Sequence, residues 1–291
     1  MNDFDYAAPT SLAEATALLA EPGRTARVLA GGTDLLVQLR EHLREADLVV
    51  DLKKIPELTA MSYSPATGLT LGASVPCYRI YENHEVSAAY PGLTDAARIV
   101  GGWQIQSRAS VGGNLCNSSP AADTIPPLIA LGAICRITGP SGSREVAAEA
   151  FCTAPGKNVL QRGEILTAIV LPPPAPKSGS AYERFIPRNE MDIAVVGAAS
   201  WVRLSADFKT IELARVALGA VAPTPLFAEE ASTWLAGKPA NEKTFTQAGE
   251  VARTIARPIF DMRGTVEFRV QLVGVLVGRT LARAVERARG N

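Results

Sequence analysis

The chain has 291 residues, 47% hydrophobic and 20% charged, with 29 basic and 29 acidic side chains. That length suits about two domains with a sizeable core, and the balanced charge excludes the basic excess expected of a nucleic-acid binder. There is no run of about 18 apolar residues, and the opening Met1-Asn2-Asp3-Phe4-Asp5 lacks a signal peptide's basic-then-apolar layout, so no membrane span is expected and the cytoplasm is the expected location.

Cys77, Cys116, Cys135 and Cys152 form no C-x-x-C pair, and His42 and His84 are the two histidines. Zinc and iron–sulfur sites usually need a close ligand pair, so no metal site is expected and the cysteines read as buried reduced thiols. Arg279, Arg283, Arg287 and Arg289 recur at helical spacing near the end and read as a solvated helix face.

In chain order, Leu12, Ala15, Leu18 and Leu19 predict an amphipathic helix over 12–19, capped by Thr10 or Ser11 and stopped by Pro22-Gly23. A strand over 27–30 ends at Gly31-Gly32, a helix over 35–43 follows, and 48–52 reads as a second strand. Next come a strand over 69–73 and a helix over 93–100 stopped by Gly101-Gly102. Residues 117–123 read as a polar turn, and 124–131 as a helix with Pro126 and Pro127 in its first turn. Strands are expected over 133–138 and 165–171. The Pro-rich stretch 172–180 reads as a linker, which places a domain boundary between 176 and 177. Beyond it, strands over 194–204 and 211–218 precede helices, notably 266–289, an α+β pattern.

Two glycine pairs carry most of the functional information: Leu29-Ala30-Gly31-Gly32-Thr33-Asp34-Leu35 and Ser110-Val111-Gly112-Gly113-Asn114. Adjacent glycines let backbone N–H groups turn toward one point and let a bulky anion approach closely. The first pair sits at a strand-to-helix turn, where a helix N-terminus favours an anion. Two such loops suit the two phosphates of a dinucleotide. Neither a G-x-G-x-x-G fingerprint nor a Walker loop is present, so the dinucleotide would be held in another way.

The sequence Val28 to Leu35, then Arg108 to Leu115 with Ser119-Pro120-Ala121-Ala122-Asp123, resembles the two FAD-binding loops of the molybdenum hydroxylase flavoproteins, the medium subunits of the carbon monoxide dehydrogenase and xanthine dehydrogenase type. Gly163-Glu164-Ile165-Leu166, Arg184-Phe185 to Met191-Asp192-Ile193-Ala194, and Asp261-Met262-Arg263-Gly264-Thr265 with Phe268, Arg269 and Leu272 extend the resemblance collinearly over nearly the whole chain. It implies an α+β chain: an FAD-binding fold of the p-cresol methylhydroxylase or vanillyl-alcohol oxidase type over 1–176, in subdomains of about 1–58 and 59–176, and a C-terminal α+β domain over 177–291.

The resemblance also implies site residues. Leu29, Ala30, Gly31, Gly32, Thr33, Asp34 and Leu35 would wrap the pyrophosphate, and Ser110, Gly112, Gly113 and Asn114 would supply a second wall of donors. Asp123 would accept from ribose hydroxyls, although it is also placed to cap the helix beginning at 124. Leu166 and Ile193 would give apolar contacts, with Val100, Cys116 and Ala122 completing the cofactor site. Arg184 would put a cation near the flavin pyrimidine edge. Asp261 and Arg263 are expected to form an interdomain ion pair, and Asp192 to be a structural hydrogen-bond partner. No acid–base dyad or nucleophile arrangement stands out, so no catalytic residue is assigned.

Thr33 occupies a position where carbon monoxide oxidisers of the family carry histidine, which argues for an organic substrate. Neither loop has a histidine for covalent attachment, so the FAD is expected to be noncovalent, and no cysteine-rich insertion is present. The implied role is an electron-transfer subunit. Its partners would be a large subunit bearing the molybdenum cofactor and a small subunit bearing 2Fe-2S clusters. Its acceptor would be NAD, a quinone or oxygen, and the substrate a heteroaromatic ring or an aldehyde. The alternatives are a self-contained FAD oxidase or reductase and a flavin-free scaffold subunit.

Overall fold

In the computed structural model, strands β1 (Asp5–Ala7), β2 (Ala26–Leu29) and β3 (Leu48–Asp51) form a parallel sheet in the order β1-β3-β2. Residues 2–188 and 190–290 are described. Met1 of the expected leaderless start and Asn189 of the family-like 184–194 segment lie outside the described residues, as does Asn291. β3 is buried along its length, as the central strand of a parallel sheet requires. The helix Leu12–Ala20 connects β1 to β2, and Ser11 caps it by accepting from the Glu14 N–H at 3.2 Å. The helix Leu35–Arg40 leads from β2 toward β3. It is shorter than the expected 35–43, because His42 takes a left-handed φ of 56° that ends helical propagation.

β4 (Met61–Ser64), β5 (Gly68–Gly72), β6 (Ile134–Gly139), β7 (Gly142–Ala147) and β10 (Ile165–Leu171) build an antiparallel sheet in the order β4-β5-β10-β6-β7. β8 (Cys152–Ala154) and β9 (Lys157–Asn158) make a separate two-stranded ribbon. Central β10 reads Ile-Leu-Thr-Ala-Ile-Val-Leu and is buried on both faces, which explains why it is apolar except for Thr167, whose hydroxyl donates to the Arg136 carbonyl. Short helices fill the chain between β5 and β6. The helix expected over 93–100 runs Pro91–Ala97, started by a proline whose fixed φ suits a first turn.

β11 (Ser178–Phe185), β12 (Val196–Leu204), β13 (Ile211–Gly219) and β14 (Leu226–Phe227) form an antiparallel sheet in chain order. The 24-residue helix Val266–Arg289 packs on this sheet, and the helix Glu242–Arg253 packs on that helix. The expected linker is shorter than 172–180, since β11 begins at Ser178 with Ser178 and Ser180 buried.

Two large apolar clusters hold the molecule. One lies among the first two sheets and their helices; the other lies between the third sheet and the C-terminal helices. Tyr182, Ala199 and Ala217 of the third sheet are buried in the first cluster, so the sheet seals one side of it. The arginines of the last helix divide. Arg279 is exposed and meets Glu183 at 3.1 Å. Arg287 departs from the expected solvated face: its guanidinium donates twice to Asp95, at 2.6 and 2.9 Å, and to the Ser180 carbonyl at 2.7 Å. Such a charge-assisted fork ties the last helix to the helix Pro91–Ala97.

Candidate functional site

A cleft of about 860 Å³ opens between the parallel sheet, the helix Val111–Asn117 and the end of β11 with the segment 192–194 that leads into β12. Of the residues the sequence singled out, Ala30 to Leu35, Val100, Ser110, Gly112, Gly113, Asn114, Cys116, Ala122, Asp123, Leu166, Arg184 and Ile193 all line it. Leu29 does not. Its side chain packs instead against the small cluster of Leu39, Ala46 and Val49.

The first glycine pair is an open donor array. Among the described residues the amides of Gly31, Gly32, Thr33 and Asp34 donate to no carbonyl and no side chain. Folded chains pair more than about nine in ten of their buried backbone donors, so a run of free amides lining a cleft is a place for a ligand's acceptors. Gly32 has φ +79°, the left-handed region that glycine enters without strain. Gly31 is needed for a different reason: a Cβ there would land on the Arg108 carbonyl oxygen. Glycine therefore lets the first loop lie directly against the chain leading into the helix Val111–Asn117. Gln38 Nε2 donates to Asn117 Oδ1 at 3.0 Å and ties the helices beyond the two loops.

The second pair differs from the expected loop. Gly112 and Gly113 lie in the first turn of a helix whose cap is Ser110, and Ser110 Oγ accepts from the Gly113 N–H at 3.0 Å. The Gly113 amide is therefore spent internally. Gly112 has no positive φ; a Cβ there would strike the backbone and side chain of Ala73, so its role is close packing. Asn114 Oδ1 accepts from Thr124 Oγ1 at 2.6 Å and joins this helix to the next.

Asp123 does not cap the helix Ile125–Ala130, which begins after Thr124 without a side-chain cap. Its Oδ1 accepts from the Tyr182 hydroxyl at 2.8 Å and its Oδ2 from Arg184 Nη1 at 2.5 Å. Both partners come from β11, so the pair spans the cleft wall where the third sheet meets the first cluster. Arg184 lines the cleft with its side chain 6% exposed and its charge paired with Asp123.

Burial raises the Asp123 carboxyl to about 6, with Arg184 and Tyr182 opposing the rise. An acid whose folded value lies above its unfolded one holds its proton more tightly in the fold. Its contribution to stability therefore grows as pH falls through about 6 toward the usual carboxylate value of about 4. Urea unfolding of the wild type and of Asp123→Asn at pH 7 and pH 5 checks this. The stability of the wild type relative to the variant is expected to rise at pH 5, and a difference that stays flat would contradict it.

The cleft has further polar lining that sequence reasoning missed. Arg27, Arg44 and Arg162 border the end near β2. Arg27 Nε donates to the Glu45 carbonyl at 2.9 Å, and Arg162 to the Arg24 carbonyl at 3.3 Å. Burial and repulsion from Arg44 lower the Arg27 value, while burial raises the Asp34 carboxyl and Arg44 partly offsets it. Arg27, a basic residue on the strand feeding a glycine loop, was the readable signal; Arg44 and Arg162 lay in segments with no pattern. Cys116 is a cleft-wall thiol whose value burial pushes up, so it is no nucleophile at neutral pH. Near the other rim, Asp192 lies 3.8 Å from Arg188 and 3.9 Å from Arg263. The expected interdomain pair of Asp261 and Arg263 is a local contact at 3.6 Å. The short bond of Asp261, 2.6 Å, goes to buried Arg269 on the last helix, which also holds the Val195 carbonyl at 2.8 Å.

No histidine lines the cleft among the described residues. Among those residues no cluster of three or more His, Cys, Asp or Glu is placed to hold a metal, and no helix is long and apolar enough to cross a membrane.

Two family models match the chain: the FAD binding domain in molybdopterin dehydrogenase over residues 2–174 and the CO dehydrogenase flavoprotein C-terminal domain over residues 180–284. The chain is 33% identical over 291 residues to the xanthine dehydrogenase FAD-binding subunit of Escherichia coli O157:H7, covering 99% of each chain. It is 34% identical over 286 residues to the carbon monoxide dehydrogenase medium chain of Afipia carboxidovorans, covering 98% of each. Its fold superposes with a TM-score of 0.93 on a chain of the carbon monoxide dehydrogenase from Hydrogenophaga pseudoflava, at 32% identity and with 98% of both chains covered.

Proposed function

Because this chain belongs to the FAD-binding subunits of the molybdopterin dehydrogenase family, we propose that it holds noncovalent FAD in the 860 Å³ cleft and passes electrons from partner subunits to an external acceptor. The observation that carries the reading is the row of unspent amides at Gly31, Gly32, Thr33 and Asp34, which offers donors where a diphosphate would lie. Leu35, Ser110, Gly112 and Asn114 complete that wall. Asp123 retains lone pairs for a ribityl or ribose hydroxyl beside its two present bonds. Val100, Ala122, Leu166 and Ile193 give the apolar walls of the cleft. We read residues 1–176 as the FAD-binding domain and 177–291 as the domain closing it from one side.

Bound there, the flavin supplies electron transfer; the chain supplies binding, orientation and electrostatics. Substrate oxidation belongs on this reading to a large subunit with a molybdenum cofactor, reached through a small subunit with 2Fe-2S clusters. The substrate is a heteroaromatic ring or an aldehyde, and the acceptor is NAD, a quinone or oxygen. The lone FAD-loaded chain is expected to turn over no such substrate, with turnover appearing when both partner subunits are added. Steady oxidation by the lone chain would overturn the reading in favour of a self-contained flavoenzyme.

A further inference from the structure

Behind the first glycine loop lies a chain of bonds that the cleft lining does not reveal. Lys53, in the single turn Leu52–Lys54 after β3, donates from Nζ to the Ala30 carbonyl at 3.0 Å and to Asp51 Oδ1 at 2.7 Å. Asp51 also accepts from the Lys53 N–H at 3.0 Å and, on Oδ2, from the Tyr6 hydroxyl at 2.7 Å. The carboxylate is thus held from three sides and in turn holds the ammonium.

A trans peptide sets its C=O and N–H in opposite directions, and no cis bond occurs among the described residues. An Ala30 carbonyl held toward Lys53 therefore turns the Gly31 N–H away from Lys53. Gly31 and the amides after it border the cleft. Glycine's conformational freedom makes the 30–31 peptide easy to rotate. Rotated, it would turn a carbonyl oxygen toward an incoming anion in place of a donor.

We propose that Lys53 is a positioning residue for cofactor binding: its bond to the Ala30 carbonyl locks the 30–31 peptide so that the loop presents donors to the FAD diphosphate. The proposal rests on the reading of the cleft as the FAD site. A charge-assisted bond suits this task, being roughly twice as strong as a neutral one. The side chain of Lys53 is 35% exposed, so exchanging it opens no buried void.

The test is FAD titration of the full apo chain, followed by quenching of flavin fluorescence, for the wild type, Lys53→Met, Lys53→Arg and the double variant Asp51→Asn/Lys53→Met. Urea unfolding of each apo form runs alongside. Lys53→Met is expected to bind FAD at least about tenfold more weakly; buried Asp51 loses its cation, so the apo unfolding midpoint falls, and the double variant is expected to recover part of that fall. Lys53→Arg keeps a cationic donor and is expected to recover most of the loss. The double variant leaves no unpaired carboxylate and is expected to remain as weak as Lys53→Met. Wild-type affinity in Lys53→Met, or the same weakening in Lys53→Arg, overturns the positioning role while leaving the FAD site intact. A wild-type chain that binds no FAD overturns the site reading itself, and the proposal with it.

Discussion

Gly31→Ala is expected to weaken FAD binding by at least about tenfold, or about 1.4 kcal/mol, and to do so more than Gly32→Ala. At Gly31 the new methyl would fall on the Arg108 carbonyl oxygen and within 2.6 Å of its carbon. Backbone cannot swing aside as a side chain does, so the two cleft-forming segments must part and the free amides move off their positions. At Gly32 the nearest atoms are the tips of Leu29 and Leu36, at 3.0 and 3.2 Å, which can shift. Gly32→Ala instead meets the left-handed strain of φ +79°, worth roughly 1–2 kcal/mol, and that strain falls on folding more than on the loop's place beside Arg108. Flavin retained after desalting, set against the unfolding free energy of each apo variant, separates the two effects. Equal FAD affinity in Gly31→Ala and wild type would show that the first loop does not touch the cofactor.

Asp123→Ala is expected to destabilise the chain by about 3–5 kcal/mol. Both members of the ion pair are nearly buried, 6% exposed for Arg184 and 10% for Asp123. Removing the carboxylate strands the guanidinium and leaves the fully buried side of Tyr182 without its acceptor. Removing both charges in Asp123→Ala/Arg184→Met is expected to restore a large part of the loss, since a buried pair is costly mainly when it is broken on one side. Urea unfolding of both variants measures this. A loss below about 1 kcal/mol in the single variant, or a double variant weaker than the single, would mean that the pair is solvated in solution.

The regular elements were readable because their patterns are local. Leu12, Ala15, Leu18 and Leu19 mark one face of a helix, and the largely apolar run of 165–171 marks a strand covered on both faces. Glycine pairs were readable as sites of close approach, but what approaches was not. Gly31 makes room for Arg108 and Gly112 for Ala73, and neither neighbour is near in sequence. The second pair was expected in a loop, yet Ser110 captures the Gly113 amide and starts a helix there. The partners of Asp123 and Arg287 were hidden for the same reason. Each lone charge looked like a cap or a surface residue until the third sheet brought Tyr182 and Arg184 to one, and the helix Pro91–Ala97 brought Asp95 to the other. Lys53 gave no motif at all, because its partner is a backbone carbonyl that the fold brings within reach.

The most direct measurement is the absorption spectrum of the full chain, purified alone, incubated with FAD and then desalted. Flavin bands at about one FAD per chain with no iron–sulfur absorption are what the account predicts, with the bands lost in Gly31→Ala. A colourless wild-type protein after desalting would contradict it and leave a subunit that uses its glycine loops only as turns.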